Sequence, residues 1–390
     1  MKSHSFLQSV FDEYPTIKNE QLHGRYITTK EIAPQLKNIS SHFPVEEIGA
    51  TVLNSPVHTV TLGNGPTRVL AWSQMHGNES TTTKAVFDII NLFRLQKGKN
   101  EHNFVQEILE KCTIKIIPML NPDGAVRYTR TNVNEIDLNR DASKQEEEES
   151  RILRRTFEIF WPHYCLNLHD QRTIFGAGNK RKPATLSFLA PSHDEERSVS
   201  GNRKSAMKLI VAINNDLQKF LPEQIGRYDD AYNINCTGDF FQSAGVPTIL
   251  FEAGHYENDY VREKTREFTA LSILSCLQHI TLTDFEQCTA QDYFNIPENV
   301  KNFFDVVLRN VSRDGEKVDV ALQFEEKVKA GKISFDPVVQ KIGANLPFFG
   351  HKEIDCQGER IAIFPEGEIK ENVVVNQILL KNSKLSIKST

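Results

Sequence analysis

The sequence lacks the features that mark membrane-spanning and nucleic-acid-binding proteins. No apolar run approaches the roughly 20 residues that a helix needs to cross a bilayer. Basic residues are not in excess, because 46 Lys and Arg are outnumbered by 51 Asp and Glu, which gives a net charge of −5. Nucleic acids and anionic membranes attract basic surfaces. We therefore expect neither as a partner, and a peptide or a small molecule fits the composition better.

The sequence also lacks paired cysteines and a recognisable secretory signal. Its 6 cysteines are scattered without any C-x-x-C spacing, and several fall in predicted core segments. This pattern is typical of reduced thiols in a reducing compartment. The first residues carry charge in every turn, unlike the apolar stretch of a secretory signal. These patterns predict a cytoplasmic protein, and none of them indicates an oligomeric state.

Short β-rich runs alternate with longer helical segments between about residues 44 and 285. The predicted strands cover residues 58–62, 68–73, 113–120, 164–170, 184–190 and 247–254. The predicted helices cover residues 80–94, 103–111, 147–160, 205–220 and 259–279. Several of the strands are almost entirely apolar, which is typical of strands buried on both faces. The alternation predicts an α/β fold with a mixed, largely parallel central sheet flanked by helices.

The composition changes after about residue 290. Short β-branched segments separated by Gly, Asp, Asn and Pro follow from there, and they predict a small, mainly β domain. The predicted organisation is an N-terminal extension at 1–43, a central α/β domain at 44–290 and a β-rich C-terminal domain at 291–390. Ligands of open α/β sheets bind beyond the carboxyl ends of the strands. Functional side chains are therefore expected where the strands of the central domain end.

The segment WSQMHGNES places His76 and Glu79 three residues apart at the end of a predicted strand. The spacing alone carries little information, because His193 and Glu196 repeat it in a polar stretch. His76 leaves a strand and Glu79 enters a helix, and Gly77 between them allows an unusual backbone angle. Both side chains can then turn toward one point. A catalytic zinc site takes three ligands from His, Glu, Asp or Cys and leaves one position for water.

Two further candidate residues also lie at the ends of predicted strands. His169 ends the apolar run YCLNLHD and is the best candidate for a third ligand, with Asp170 or a backbone group orienting its ring. A histidine satisfied at the edge of the core is the alternative. Glu252 follows the apolar segment VPTIL, where a buried carboxylate is costly without a function or a partner. It is a candidate for the general base that a metal-activated water requires, and a salt bridge is the alternative.

A polar loop at residues 121–141 directly follows the third predicted strand. It carries the following Arg and Asn side chains: Arg127, Arg130, Asn132, Asn139 and Arg140. The planar guanidinium group of arginine suits carboxylates and oxyanions. Beside a metal, this loop indicates a substrate with a free carboxylate, whereas a solvated turn is the alternative.

The ordered motifs HGNE, NPDG, RTN, DLNRD, LHDQ and FEAG resemble those of the zinc carboxypeptidases, the M14 or funnelin metallopeptidases. The resemblance covers about residues 44–285. It implies that His76, Glu79 and His169 hold one zinc ion and that Glu252 is the general base and later the proton donor. The expected enzyme is a zinc metallopeptidase that hydrolyses the C-terminal amide bond of a peptide.

The resemblance also assigns roles in the polar loop. It implies that Arg130 polarises the scissile carbonyl and stabilises the oxyanion, and that Asn139 and Arg140 grip the terminal carboxylate of the substrate. The motifs HGNE, DLNR and FEAG resemble those of the aspartoacylase and succinylglutamate desuccinylase branch as well, which cleaves N-acyl amino acids and carries an extra β domain. An N-acyl amino acid amidohydrolase is therefore the alternative function. A binding protein without catalysis is a third.

One family feature has no clear counterpart. Digestive carboxypeptidases carry a mobile tyrosine upstream of the catalytic glutamate, and its place here falls near Phe241 or Gln242. Tyr228, Tyr232 and Tyr256 are candidates to replace it, and packing is the alternative for each. The substrate side chain is therefore not predicted.

Overall fold

The computed structural model describes residues 2–97, 104–364, 367, 369–375, 377–380, 383–385 and 387. Its helices are α1 (Lys2–Ile17), α2 (Thr29–Ile39), α3 (Thr81–Gln96), α4 (Phe104–Lys111), α5 (Pro122–Arg127), α6 (Glu148–Phe160), α7 (Gly201–Leu217), α8 (Thr237–Ser243), α9 (Glu263–Leu282) and α10 (Ala290–Asn295). Its strands are β1 (Val45–Ala50), β2 (Pro56–Leu62), β3 (Thr67–Ser73), β4 (Cys112–Ile117), β5 (Tyr164–Asp170), β6 (Phe175–Ala177), β7 (Leu186–Leu189), β8 (Ile225–Arg227), β9 (Thr248–Ala253), β10 (Asn299–Lys301), β11 (Phe303–Arg313), β12 (Glu316–Lys329), β13 (Lys332–Gly343), β14 (Phe349–Asp355), β15 (Ile361–Phe364), β16 (Gln377–Leu380) and β17 (Ser383–Leu385). Single 3-10 turns lie at Leu138–Arg140 and Asp284–Gln287.

A mixed central sheet organises the first three quarters of the chain. Its strand order is β1-β2-β4-β3-β5-β9-β7-β8. The pairs β4-β3, β3-β5, β5-β9 and β7-β8 are parallel, and the other three are antiparallel. The predicted mixed, largely parallel sheet is thereby confirmed.

The sheet is covered by helices on both faces, because its central strands are apolar on both sides. In β3, Val69 and Ala71 belong to the larger buried cluster, to which α3, α7 and α9 contribute. Leu70 and Trp72, which alternate with them, belong to a second cluster with side chains of α6 and α8. Successive side chains of a strand point to opposite faces, so β3 is the middle layer of a three-layer structure.

The ends of the predicted elements shift where local hydrogen bonding overrides the sequence pattern. β4 stops at Ile117, before residue 120, because Pro118 has no N–H for the ladder. α7 begins at residue 201 because the Ser200 side chain accepts from the Arg203 amide at its start. α9 begins four residues later than predicted, since the Asp259 carboxylate accepts from the amides of Glu263 and Thr265 at 2.8 and 2.7 Å. The predicted start of the second helix, residue 103, lies outside the described residues.

The first 43 residues contain two helices that the sequence pattern did not predict. Leu7, Val10 and Tyr14 of α1 are buried in the same apolar cluster as α3 and α9. The Tyr14 hydroxyl donates to Asp88 of α3, which also forms two hydrogen bonds with Arg266 of α9.

The domain boundaries at 43/44 and 290/291 stay predictions.

The C-terminal part consists almost entirely of strands, as predicted. β13, β12, β11 and β14 form one sheet in that order, and β15, β16 and β17 form another. Side chains from both sheets share an apolar core that includes Leu308, Leu322 and Ile378. β10 pairs with β6, which follows β5 in the chain. The C-terminal strands are therefore attached to the α/β part close to the end of β5.

The 6 cysteines form no disulfide bond. Among the helices of the described ranges, none combines the length and the apolar character needed to span a bilayer. The cytoplasmic location stays a prediction.

Removal of the buried pair between Arg266 and Asp88 is expected to destabilise the fold strongly. Both side chains are fully buried, and breaking such a pair leaves one charge uncompensated. We expect Asp88→Ala to lower the free energy of unfolding by about 3–5 kcal/mol, measured by denaturant unfolding. Glu148→Ala, which breaks an exposed pair with Arg151, is the control and should cost less than about 1 kcal/mol. Equal effects of the two substitutions would contradict the assignment of Arg266 and Asp88 as a buried anchor.

Candidate active site

Three neighbouring parallel strands end at one edge of the central sheet and bring the predicted side chains together. β3 ends three residues before His76, and its neighbour β5 carries His169 at its penultimate position. The next strand, β9, carries Glu252 directly opposite His169 in the parallel register. Parallel strands share one direction, so their carboxyl ends meet at the same edge. The sheet topology thus gathers residues that are far apart in sequence.

The loop after β3 turns sharply so that both His76 and Glu79 face inward. Gln74 has a φ of 47°, and its side chain donates to the carbonyls of Ile27 and Gly77 at 2.8 and 2.9 Å. The unusual backbone angle expected at Gly77 therefore lies at Gln74. Gly77 is required for space, because a Cβ there would lie 2.0 Å from the carbonyl carbon of Gly124.

The three predicted ligands converge in a buried cluster. His76 Nδ1 lies 2.8 Å from Glu79 Oε1, and His169 Nδ1 lies 2.9 Å from Glu79 Oε2. The two Nδ1 atoms are 3.1 Å apart. The three residues are at most 8% exposed, and among the described residues they are the one group whose ligand atoms all lie within 4.8 Å of one another. Two imidazoles and one carboxylate are a donor set that suits zinc.

The chemistry of this cluster also fits a cation. Burial opposes the charged form of Glu79, but His76 and His169 outweigh burial and hold the pKa of Glu79 well below its ordinary value. Burial lowers the pKa of His169, which favours the neutral ring that binds a metal. Two Nδ1 atoms that face each other and a carboxylate therefore present lone pairs to one point.

Asp137 supports this cluster and is not among the residues that the sequence predicts for the site. Its Oδ1 accepts a hydrogen bond from His76 Nε2 at 3.0 Å, and its Oδ2 accepts one from Arg130 Nε at 3.0 Å. It also caps the turn at Leu138–Arg140 by accepting from the Asn139 amide at 2.9 Å. A carboxylate on the second ring nitrogen orients a ligating histidine. The signal available in the sequence was the first position of DLNRD.

His169 lacks the equivalent support. Its Nε2 is buried and has no hydrogen-bond partner within the part of the chain that the structure describes. Asp170, expected to orient the ring, instead accepts hydrogen bonds from the amides of Thr81 and Thr82 at 3.0 and 3.3 Å. It also lies 3.7 Å from Arg262. Asp170 therefore anchors the start of α3, which carries Glu79 at its entry, and it does not contact the His169 ring.

The structure places Glu252 beside the cluster, without a salt bridge to any of the residues that it describes. Glu252 is partly buried, and its Oε2 is enclosed with no hydrogen-bond partner among the described residues. Burial, and then the carboxylates of Glu79 and Asp170, raise the pKa of Glu252 well above its ordinary value. The geometry therefore does not support the salt-bridge alternative, and it leaves a carboxyl group available for proton transfer.

The polar loop brings three of its five candidate residues to this edge. Arg130 lies with Nη1 3.4 Å from Glu79 Oε1, and 48% of its side chain is exposed. Asn139 and Arg140 follow Asp137 directly, and Asn139 Oδ1 accepts from the Thr237 amide at 3.1 Å. Arg140 is exposed and donates through Nη1 to the Asn139 carbonyl at 2.9 Å.

The other two side chains of the loop hold the loop itself. Asn132 is buried and donates to Glu147 at 2.6 Å, while its Oδ1 accepts from the amides of Asn134 and Ile136. Arg127 donates to the carbonyl of Val133 at 3.2 Å. Neither side chain contacts the three candidate ligands.

The candidates for the missing family tyrosine separate clearly. Phe241 stacks on Phe157 with ring centroids 4.1 Å apart, and Gln242 accepts from the Thr248 amide, so both belong to the core. Tyr256 packs against Phe268 in the larger apolar cluster. Tyr228 follows β8, and its pKa is raised by burial and by the nearby charges of Glu252 and Glu79. Of Tyr228 and Tyr256, Tyr228 is therefore the one on which the charges of the site act, and the partly buried Tyr232 stays a candidate.

Zinc binding is expected to depend on this cluster and on Asp137. We expect about one zinc ion per chain, measured by elemental analysis of purified protein, and loss of that zinc in His169→Ala. Asp137→Ala should weaken zinc affinity about 10–100-fold, measured by competition with a chelator. His193→Ala, in the second pair with the same spacing, is the matched control. Unchanged zinc affinity in His169→Ala would contradict the assignment.

Comparison with known proteins gives consistent results. The family model for zinc carboxypeptidases matches residues 31–203. Carboxypeptidase 2 of Trichophyton tonsurans is 28% identical over 106 residues, and the aligned region spans 26% of this chain and only 19% of that relative.

Solved structures share the fold at low sequence identity. A metallo-carboxypeptidase from Burkholderia cenocepacia superimposes with a TM-score of 0.53 and 16% identity, covering 66% of this chain and 70% of that chain. Carboxypeptidase A from Helicoverpa armigera has a TM-score of 0.51 and 16% identity, covering 66% and 74%. The family model, the curated relatives and the shared fold therefore agree that this chain is similar to zinc carboxypeptidases.

Proposed function

We propose that this chain is a zinc-dependent metallocarboxypeptidase that hydrolyses the C-terminal amide bond of a peptide. The observation that carries this proposal is the convergence of His76, Glu79 and His169 with Glu252 at one sheet edge. Arg130 borders the same cluster. The family supports the general activity, whereas the roles of individual residues and the cytoplasmic location are part of the proposal.

The three ligands would hold one zinc ion between His76 Nδ1, Glu79 and His169 Nδ1. Zinc bound there would supply Lewis acidity toward a carbonyl oxygen and lower the pKa of a bound water. Glu252 takes a proton from the attacking water at its carboxylate and later gives it to the nitrogen of the leaving amine. The raised pKa of Glu252 suits both steps. A carboxylate with a raised pKa accepts a proton from water more readily, and it holds that proton long enough to transfer it to the leaving amine.

Arg130 is placed to bind the developing oxyanion. Asp137 holds it through Nε, and its Nη1 lies 3.4 Å from Oε1 of Glu79, one of the candidate ligands. A fixed donor aimed at developing charge needs no reorganisation during the reaction. Arg130 thus combines a fixed guanidinium plane with the exposure that a substrate requires.

Asn139 and Arg140 are placed to bind the terminal carboxylate of the substrate. The Thr237 amide occupies Asn139 Oδ1, which orients the amide so that its NH₂ group remains available as a donor. Arg140 is exposed one residue further along, where its charge is accessible to a substrate. Arginine and amide donors together suit a carboxylate.

Substitution of the general base should slow hydrolysis strongly without removing the metal. Glu252→Gln is expected to lower kcat about 10²–10⁴-fold, measured on a C-terminally free peptide, with zinc content unchanged. Glu257→Gln, in the exposed stretch after the same strand, is the matched control and should retain activity. Undiminished turnover by Glu252→Gln would rule out this mechanism. A wild-type protein that binds zinc and substrate without turnover would favour the binding-protein alternative.

Arg140→Ala tests the carboxylate contact. We expect a rise of about 10–100-fold in KM for a free peptide, as the loss of a hydrogen bond to a charged group implies, with a much smaller effect on kcat. The same peptide with an amidated C-terminus should bind poorly to the wild type and show no further loss in the variant. An equal rise in KM for both peptides would contradict the role of Arg140.

The N-acyl amino acid amidohydrolase alternative is not favoured, since the matching family model is that of zinc carboxypeptidases and curated relatives such as carboxypeptidase 2 are carboxypeptidases. It predicts turnover of N-acetyl or N-succinyl amino acids in the same assay. Release of terminal residues from peptides without that turnover would exclude it.

A further inference from the structure

The hairpin of β12 and β13 extends beyond the rest of the C-terminal sheet toward the α/β part. β11 pairs with β12 as far as Leu322, whereas β12 continues and pairs with β13 along its further length. Side chains alternate along this extension. Glu326 is directed at the α/β part, and Glu325, its neighbour, is exposed. We call residues 323–336 the hairpin arm.

Glu326 of the hairpin arm joins two separate segments, one in the N-terminal extension and one in the α/β domain. Its Oε1 is paired with Nη1 of Arg25, and its Oε2 accepts from the Tyr128 hydroxyl at 2.5 Å. Arg25 is only 7% exposed, so its charge needs this partner. The ring of Phe324 packs edge-on against the ring of Tyr260, with the centroids 5.0 Å apart. This contact also holds the hairpin arm against the α/β part.

Arg25 and Tyr128 are each connected to a residue of the candidate active site, Arg25 through a hydrogen bond and Tyr128 along the chain. The carbonyl of Arg25 accepts a hydrogen bond from Ser80 Oγ at 2.6 Å, and Ser80 directly follows Glu79. Tyr128 lies two residues before Arg130. Glu326 therefore spans from the start of α3, where Glu79 enters, to the loop that carries Arg130.

The backbone at Tyr128 needs an anchor of this kind. Tyr128 ends α5 with a φ of 57°, the left-handed region that non-glycine residues seldom adopt. The chain reverses there, and the Thr129 amide donates back to the Gly124 carbonyl at 3.0 Å before the chain reaches Arg130. The direction in which the chain leaves α5 toward Arg130 thus depends on the conformation of Tyr128.

We propose that Glu326 is a positioning residue for Arg130, acting through the hydroxyl of Tyr128. The C-terminal β part is then a structural component of the active site. It fixes the distance between the loop of Arg130 and the segment of Glu79. This inference rests on the proposed function of Arg130 in hydrolysis.

Tyr128→Phe is the mildest test, because it removes the hydroxyl and leaves the pair between Glu326 and Arg25 intact. We expect kcat on a free peptide to fall about 10-fold, since small displacements of a positioned group reduce the rate steeply. KM should change less than about twofold, because Asn139 and Arg140 are untouched. Glu325→Gln, one residue from Glu326 on the exposed face, is the matched control and should behave as the wild type. A kcat of Tyr128→Phe equal to that of the wild type would overturn the proposal.

A double-mutant cycle tests whether the effect passes through Arg130. In an Arg130→Ala background, Tyr128→Phe should lower kcat less than about twofold, because coupled residues are not additive. A full 10-fold loss in that background would show that the hydroxyl acts elsewhere and would overturn the proposal. Absence of zinc-dependent hydrolysis in the wild type would instead contradict the proposed function.

Amide hydrogen exchange of the metal-free protein gives a readout that does not depend on activity. Exchange in residues 128–133 should be faster in Tyr128→Phe and Glu326→Gln than in the wild type, with Glu325→Gln unchanged. Identical exchange in all four proteins would refute the positioning role even where hydrolysis is established.

Discussion

The parallel pairing of β3, β5 and β9 is the constraint on which the site depends. It fixes His169 opposite Glu252 and places the loop of His76 beside them. A shift of β9 by one residue would turn Glu252 to the other face of the sheet. The apolar residues that bury β3 and β5 on both faces hold this register, so the core determines the spacing of the polar groups.

The edge created by this pairing concentrates carboxylates. Four carboxylates lie there: Glu79, Asp137, Asp170 and Glu252. They differ in the partners that compensate their negative charge. Glu79 contacts His76, His169 and the Asp170 amide, and Asp137 contacts His76 and Arg130. Asp170 is directed at the amides that begin α3. Among these four, Glu252 has a buried carboxylate oxygen, Oε2, without a hydrogen-bond partner in the described residues, and burial, followed by the charges of Glu79 and Asp170, raises its pKa well above the ordinary value. Carboxylates in one site thus diverge in role because their partners differ.

Sequence patterns predicted the inner strands of the central sheet and its longer helices, since periodicity reports burial, but they missed the two edge strands, β1 and β8, and the short helix α8. They also predicted which residues stand at strand ends. Asp137 and Tyr128 escaped prediction, because their roles depend on contacts across 61 and 198 positions of sequence. The two N-terminal helices escaped for a related reason. Much of their stability comes from packing on α3 and α9, and their local pattern mixes charged and apolar residues.

The motifs HGNE and NPDG also form one packed unit, which explains why both belong to a single ordered set. Asn121 begins α5 by accepting from the Gly124 amide at 2.8 Å, and it donates to the carbonyl of Met75, next to His76, at 3.1 Å. Gly77 lies against the Gly124 backbone so closely that neither segment could move toward the other. The start of the loop that carries Arg130 is therefore fixed directly by the loop that carries the ligands. With Tyr128 held at the other end of α5, the whole helix becomes a rigid spacer between the ligands and Arg130.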